Sequence, residues 1–150
     1  MPTHFSGNAK TKRAIDTFVK FTRAANSLEG RLFQLDELQG LTQTQFGVLE
    51  TLYHLGPLCQ GELSRKQLRS TGNMTLVLDN LEKRALIVRE RELEDRRMVQ
   101  IRLTSTGNDL IGNVFPKVAK AIENEFSVLT IEEQEVLGNL CKVLGKKKRD

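Results

Sequence analysis

The sequence predicts a mainly α fold carrying one small β-hairpin, and three observations predict it. Apolar residues recur at spacings of three and four along most of the 150-residue chain, the mark of amphipathic helices. Two segments open with capping-box patterns, Thr42-Gln43-Thr44-Gln45 and Thr130-Ile131-Glu132-Glu133, in which a Thr and a residue three positions on satisfy each other's backbone amides. Between Leu86 and Leu103 the apolar period shortens to two, as in half-buried strands.

The first helix is expected from Ile15 to Leu38, where Phe18, Phe21, Ala25, Leu28, Leu32 and Leu35 form one stripe. A second opens at Thr42, carries Phe46, Leu49, Leu52 and Tyr53, and is stopped by Gly56-Pro57. A short third helix runs from about Cys59 to Leu68. Ser70-Thr71-Gly72-Asn73 supplies cap-type residues ahead of Met74, Val77, Leu78 and Leu81, again at helical spacing. Two short helices with a tight junction read as a helix-turn-helix.

Leu86-Ile87-Val88 is a β-branched run, and Val99, Ile101 and Leu103 alternate with Gln100 and Arg102. The polar stretch Glu92-Leu93-Glu94-Asp95-Arg96 makes the hairpin tip, so the helix-turn-helix carries a wing. Beyond Thr104, Ile111, Val114, Phe115, Val118, Ile122 and Phe126 line a further helix; Thr130 opens a last one with Val136, Leu137, Leu140, Cys141 and Leu144 on one side. Such stripes at both ends are more apolar surface than a small monomer hides, which predicts a dimer built by the terminal helices. The whole is one domain. A winged helix-turn-helix over about 42–107 is flanked by N- and C-terminal dimerisation helices, about 12–38 and 108–145, with a basic tail at 146–150.

Composition excludes several function classes. No apolar run approaches the roughly 18 residues a bilayer core demands, and Met1–Thr11 has no signal-type apolar region, so a cytoplasmic protein without a membrane partner is expected. Cys59 and Cys141 lack CxxC spacing, and His4 and His54 are the two histidines, so neither a disulfide scaffold, a metal site nor a cofactor is expected. No serine has a credible His/Asp partner, and neither a phosphate-cradling glycine loop nor HExxH occurs, so no enzyme and no catalytic residue is expected. The net charge is +4 with a pI near 9.2. Residues 60–102 hold ten basic against seven acidic side chains, and 146–150 hold four against one. The tail thus contributes as much net charge as the winged module, and the informative excess is the one on the wing.

Reading DNA in the major groove needs a helix start with small polar side chains and open amides, which Ser70, Thr71, Gly72, Asn73 and Thr75 supply. Gly72 lets backbone approach phosphate, Asn73 can read adenine or bind phosphate, and Thr75 can touch a thymine methyl or the backbone. Equally, Ser70 and Thr71 merely cap the helix and Asn73 is a solvated residue. Arg89, Arg91, Arg96, Arg97 and Arg102 place five guanidiniums on the wing, suited to the narrow, negative minor groove; Glu90, Glu92, Glu94 and Asp95 among them allow a merely salt-bridged surface instead. Asp95, two residues before Arg97, can hold that guanidinium by a two-oxygen pair. Cys59 at a helix start is open to a thiol-sensor role, although a small half-buried residue is the commoner reading of a cysteine with no second thiol nearby. Cys141 reads as core packing, and His54 as an ordinary interfacial residue.

Cys59-Gln60-Gly61-Glu62-Leu63, Ser70 to Thr75, Asp79-Asn80-Leu81-Glu82-Lys83-Arg84, Asp95-Arg96-Arg97 and Leu103-Thr104-Ser105-Thr106-Gly107, in this order and spacing, closely resemble the MarR family of bacterial transcription regulators. The likeness is densest from about 58 to 107. It implies a homodimeric repressor on double-stranded DNA, with a pseudo-palindromic operator whose half-sites lie about 34–36 Å apart. It also implies that the helix near Ser70 enters the major groove, that Arg97 reaches the minor groove or its phosphates, and that Asp95 orients Arg97; Arg96 beside it is a further DNA-binding candidate. The start of the recognition helix is similar to a branch answering to phenolic or quinone-type compounds or to oxidative stress, which implies a small aromatic effector. A Cys59 thiol sensor of the same family, and a winged helix that binds protein rather than a chosen DNA sequence, are the rival readings. Two positions depart from the family pattern: Cys59 stands where threonine usually caps the third helix, and Ala85 where glycine usually follows the recognition helix.

Overall fold

The computed structural model describes residues 4–67 and 71–147, with Thr71 and Gly72 as backbone. Helix α1 (Ala9–Leu32) begins where the Asn8 side chain accepts from the Thr11 amide at 2.8 Å, six residues before the expected start. Nothing apolar marks that first turn, so periodicity does not reveal it. At its other end the helix stops at Leu32 rather than Leu38. A 3-10 turn at Asp36–Leu38 follows, and it swings Leu38 and Leu41 into the core with Phe33 and Leu35 against them. A straight continuation would carry those side chains away along the axis, so burial wins over the helical period.

Helix α2 (Gln43–Leu55) has both arms of its capping box: Gln45 N donates to Thr42 Oγ1 at 3.2 Å, and Thr42 N donates to Gln45 Oε1 at 3.0 Å. It ends at Gly56, whose φ of 80° suits a residue without a Cβ. Strand β1 (Leu58–Cys59) then precedes α3 (Gln60–Gln67) and α4 (Thr71–Lys83); Leu68 and Ser70 lie outside the described residues. Strands β2 (Ile87–Arg91) and β3 (Val99–Leu103) form the expected hairpin, pairing Ile87 with Leu103 and Arg91 with Val99. All pairs are antiparallel in the order β1-β3-β2, with Leu58 opposite Ile101. A two-residue strand has no period to read, which is why β1 escapes sequence analysis.

The chain divides into two compact units, Met1–Val118 and Ala119–Asp150. In the first, Val48 and Leu49 of α2, Leu63 of α3, Met74, Leu78 and Leu81 of α4 and Ile87 of β2 are wholly buried. They share one core with Ile111, Val114 and Val118 of α5 (Ser105–Phe126). Fully burying each such side chain contributes about 1.5–3 kcal/mol, so this cluster fixes how α4 is rotated. Helix α4 ends in a Schellman motif, with Leu86 N donating to Leu81 O at 3.0 Å and Ala85 N to Glu82 O at 2.9 Å. Ala85 has a φ of 56°, so the left-handed position expected to favour glycine is real. Thr104 caps α5 through the Gly107 amide at 3.0 Å. Gly107 lies so close to β2 that a Cβ there would sit 2.0 Å from the Leu86 carbonyl oxygen.

In the second unit Thr130 opens α6 (Ile131–Gly145) with the expected box: Glu133 N donates to Thr130 Oγ1 at 3.2 Å, and Thr130 N donates to Glu133 Oε2 at 2.9 Å. This helix buries no residue. Cys141 is therefore half-buried rather than core, because its stripe companions Val136, Leu137, Leu140 and Leu144 stand exposed. Phe18 and Phe21 of α1 are exposed likewise.

Candidate nucleic-acid interface

The start of α3 leans on Glu62. Its Oε2 accepts from Cys59 N at 2.9 Å, the returning half of a capping box that lacks the threonine. That backbone bond, then the Cys59 thiol, hold the Glu62 carboxyl below its usual 4.5, with Arg65 and Lys66 adding to the effect. Reactive thiolates sit beside cations; the Cys59 thiol faces a carboxylate instead. At the other end of α3, Gln67 Nε2 donates to the Gly47 carbonyl at 3.0 Å and to Thr51 Oγ1 at 2.9 Å, fastening α3 to α2.

Helix α4 presents Asn73 and Thr75 to the outside. The Thr75 hydroxyl accepts from Gln60 Nε2 of α3 at 2.6 Å, which ties the two helices of the helix-turn-helix together on their polar side. Thr71 and Gly72 form the first turn of α4.

The five wing arginines do different jobs. Arg89 leaves the wing for α4, with Nη2 2.8 Å from Asp79 Oδ1 and Nη1 3.1 Å from Glu82 Oε1; its amide donates to Glu82 Oε2 at 3.2 Å. Arg102 pairs with Glu90 across the hairpin at 3.2 Å. Arg91 Nη1 donates to the Arg96 carbonyl at 2.9 Å, bracing the tip. Arg96 makes no ion pair among the described residues and is exposed. Arg97 has a side chain 93% exposed, and one Asp95 oxygen accepts from both its amide at 3.1 Å and its Nε at 3.3 Å. Asp95 thus meets Arg97 through a single oxygen, not the expected two-oxygen pair. A turn-type bond to the amide occupies that oxygen, and the outer guanidinium nitrogens remain directed at solvent.

Arg89 was legible only as one more basic wing residue. Its role as a clamp depends on Asp79 and Glu82, three positions apart on α4, meeting the hairpin in space. The i, i+3 spacing of the two acids is the single trace of this in the sequence. Gln60 likewise gave no signal of its own.

Among the described residues no His/Cys/Asp/Glu cluster could hold a metal ion, and no helix is long and apolar enough to cross a membrane. The MarR family model matches residues 41–99, from the segment leading into α2 to the first residue of β3. The transcriptional regulator MhqR of Bacillus subtilis is 33% identical over 135 residues, covering 90% of this chain and 93% of MhqR. This chain belongs to the MarR family.

As a MarR-family protein it is a helix-turn-helix, DNA-binding transcription regulator and not an enzyme. Its fold agrees with that of AbsC, a MarR family regulator from Streptomyces coelicolor, at a TM-score of 0.82 and 20% identity over 95% of this chain and 97% of AbsC. It agrees also with BpsR of Bordetella bronchiseptica, at a TM-score of 0.75 and 22% identity over 87% of this chain and 99% of BpsR. The DNA binding of BpsR is regulated by 6-hydroxynicotinic acid.

Proposed function

We propose that this MarR-family regulator is a cytoplasmic repressor that binds a pseudo-palindromic operator as a homodimer and releases it when a small aromatic effector binds. The observation that carries the reading is the lobe formed by α4 and the wing. The outer side of one and the exposed Arg97 of the other are locked together by Arg89 bridging to Asp79 and Glu82. Ser70, Thr71, Gly72, Asn73 and Thr75 read or position the major groove, while Arg96 and Arg97 contact the minor groove, with Asp95 orienting Arg97. The exposed apolar faces of α1 and α6 support a dimer, since each is a surface a second copy would cover. An effector of the phenolic class accords with the aromatic ligand that regulates BpsR. It acts only through a difference in affinity between dimer states with different recognition-helix spacing.

The test is selection of bound DNA from a random pool, repeated with a panel of hydroxylated aromatic acids, alongside equilibrium sedimentation. Expected are an inverted-repeat consensus, loss of binding with at least one acid, and a dimer at micromolar concentration. A monomer, or a pool that yields no consensus, contradicts the proposal.

A further inference from the structure

Three side chains of α4, Met74, Leu78 and Leu81, are wholly buried, so the rotation of the helix about its axis is fixed. At about 100° per residue, Leu76 and Lys83 both lie nearly opposite their mean direction, and Leu76, nearer the middle of the helix, is the apolar one. It is 63% exposed. Asn73 lies three residues before it and Asn80 four after it, both exposed and both on the same outward side. The outward side of the recognition helix thus carries an isobutyl group with a carboxamide before it and another after it, and the core offers it no burial.

From this geometry we propose that Leu76 is a specificity-determining residue that packs on a thymine 5-methyl group in the major groove. The inference rests on the proposed reading of α4 as the groove-entering helix. Each base pair shows the major groove a different edge, and the thymine methyl is its one apolar feature. The flanking carboxamides fit the same bases, because Asn pairs with the N6 and N7 of adenine. An A·T pair presents both, the methyl on one strand and the N6/N7 edge on the other. Helix α4 therefore selects A·T pairs at the centre of each half-site.

Burying one methyl group against Leu76 corresponds to about a fourfold change in affinity for each half-site. The experiment replaces each thymine of the selected operator in turn with deoxyuridine, which removes only the methyl, and titrates wild type, Leu76→Ala and Arg97→Ala over a salt series. At one thymine per half-site, wild type is expected to lose about fourfold in affinity. Leu76→Ala should bind the thymine and uracil operators equally, with the wild-type salt slope, since no charge is removed. Arg97→Ala should keep the full methyl sensitivity while its salt slope falls. If wild type ignores every thymine methyl, or Leu76→Ala keeps the wild-type sensitivity, the inference is overturned, and the Arg97→Ala response shows whether the DNA-binding lobe itself survives. Failure of wild type to select any sequence would overturn both.

Discussion

Ala85 sits in a left-handed backbone position with its Cβ against the following carbonyl, a conformation that costs an L-residue roughly 1–2 kcal/mol. Substitution by glycine relieves that strain. It also loosens the unfolded chain, a penalty of about 0.4–1 kcal/mol, so the relief wins narrowly. Ala85→Gly is expected to raise stability by about 1 kcal/mol, read as a higher urea midpoint with unchanged slope; an unchanged or lower midpoint would refute the strain. Glu62 supplies a second test at this scale. Its native carboxyl titrates below the usual 4.5 because it accepts from Cys59. A group depressed in the folded state stabilises above its unfolded pKa and loses that contribution as pH falls through the folded one. The stability difference between wild type and Glu62→Gln should therefore be constant above pH 4.5 and close below it. A difference that persists in acid would assign the effect to packing rather than charge.

Among the elements, the salt bridge from β2 to α4 decides how the wing is held. Arg89 is mostly covered, its side chain 23% exposed, while Asp79 and Glu82 are more open at 47% and 42%. Removing it takes away partly exposed pairs together worth about 1 kcal/mol, too little to unfold the domain. It also leaves two carboxylates uncompensated on the helix proposed to enter the groove. Arg89→Ala is expected to lower the thermal midpoint slightly and DNA affinity about tenfold; equal affinities would make the clamp purely structural. What the sequence shows of these elements follows from their physics. Thr42 and Thr130 announce α2 and α6 because a capping box is a local contact, and the wing strands show because one face is buried and the other is wet. The true ends of α1 and the existence of β1 depend instead on where the chain meets the core. For the same reason the basic wing was readable, whereas the division of labour among its arginines was not: Arg89, Arg91 and Arg102 are consumed by contacts that exist only once the hairpin has closed onto α4 and itself.

For the molecule as a whole, net charge is a weak guide. The last five residues carry +3 of the net charge of +4, and they lie far along the chain from α4 and the wing. DNA affinity should therefore depend on which cation is placed where, and Arg97, its side chain 93% exposed at the wing tip, is the cation to test. Each phosphate neutralised by the protein contributes about 0.9 to the slope of log affinity against log salt. A dimer carries two wings, so Arg97→Ala is expected to make that slope shallower by about two while lowering affinity for every sequence tested. The decisive measurement is this salt series on the selected operator, wild type against Arg97→Ala. A weaker affinity with the shallower slope is what a wing in the groove predicts; identical affinity and identical slope would contradict it.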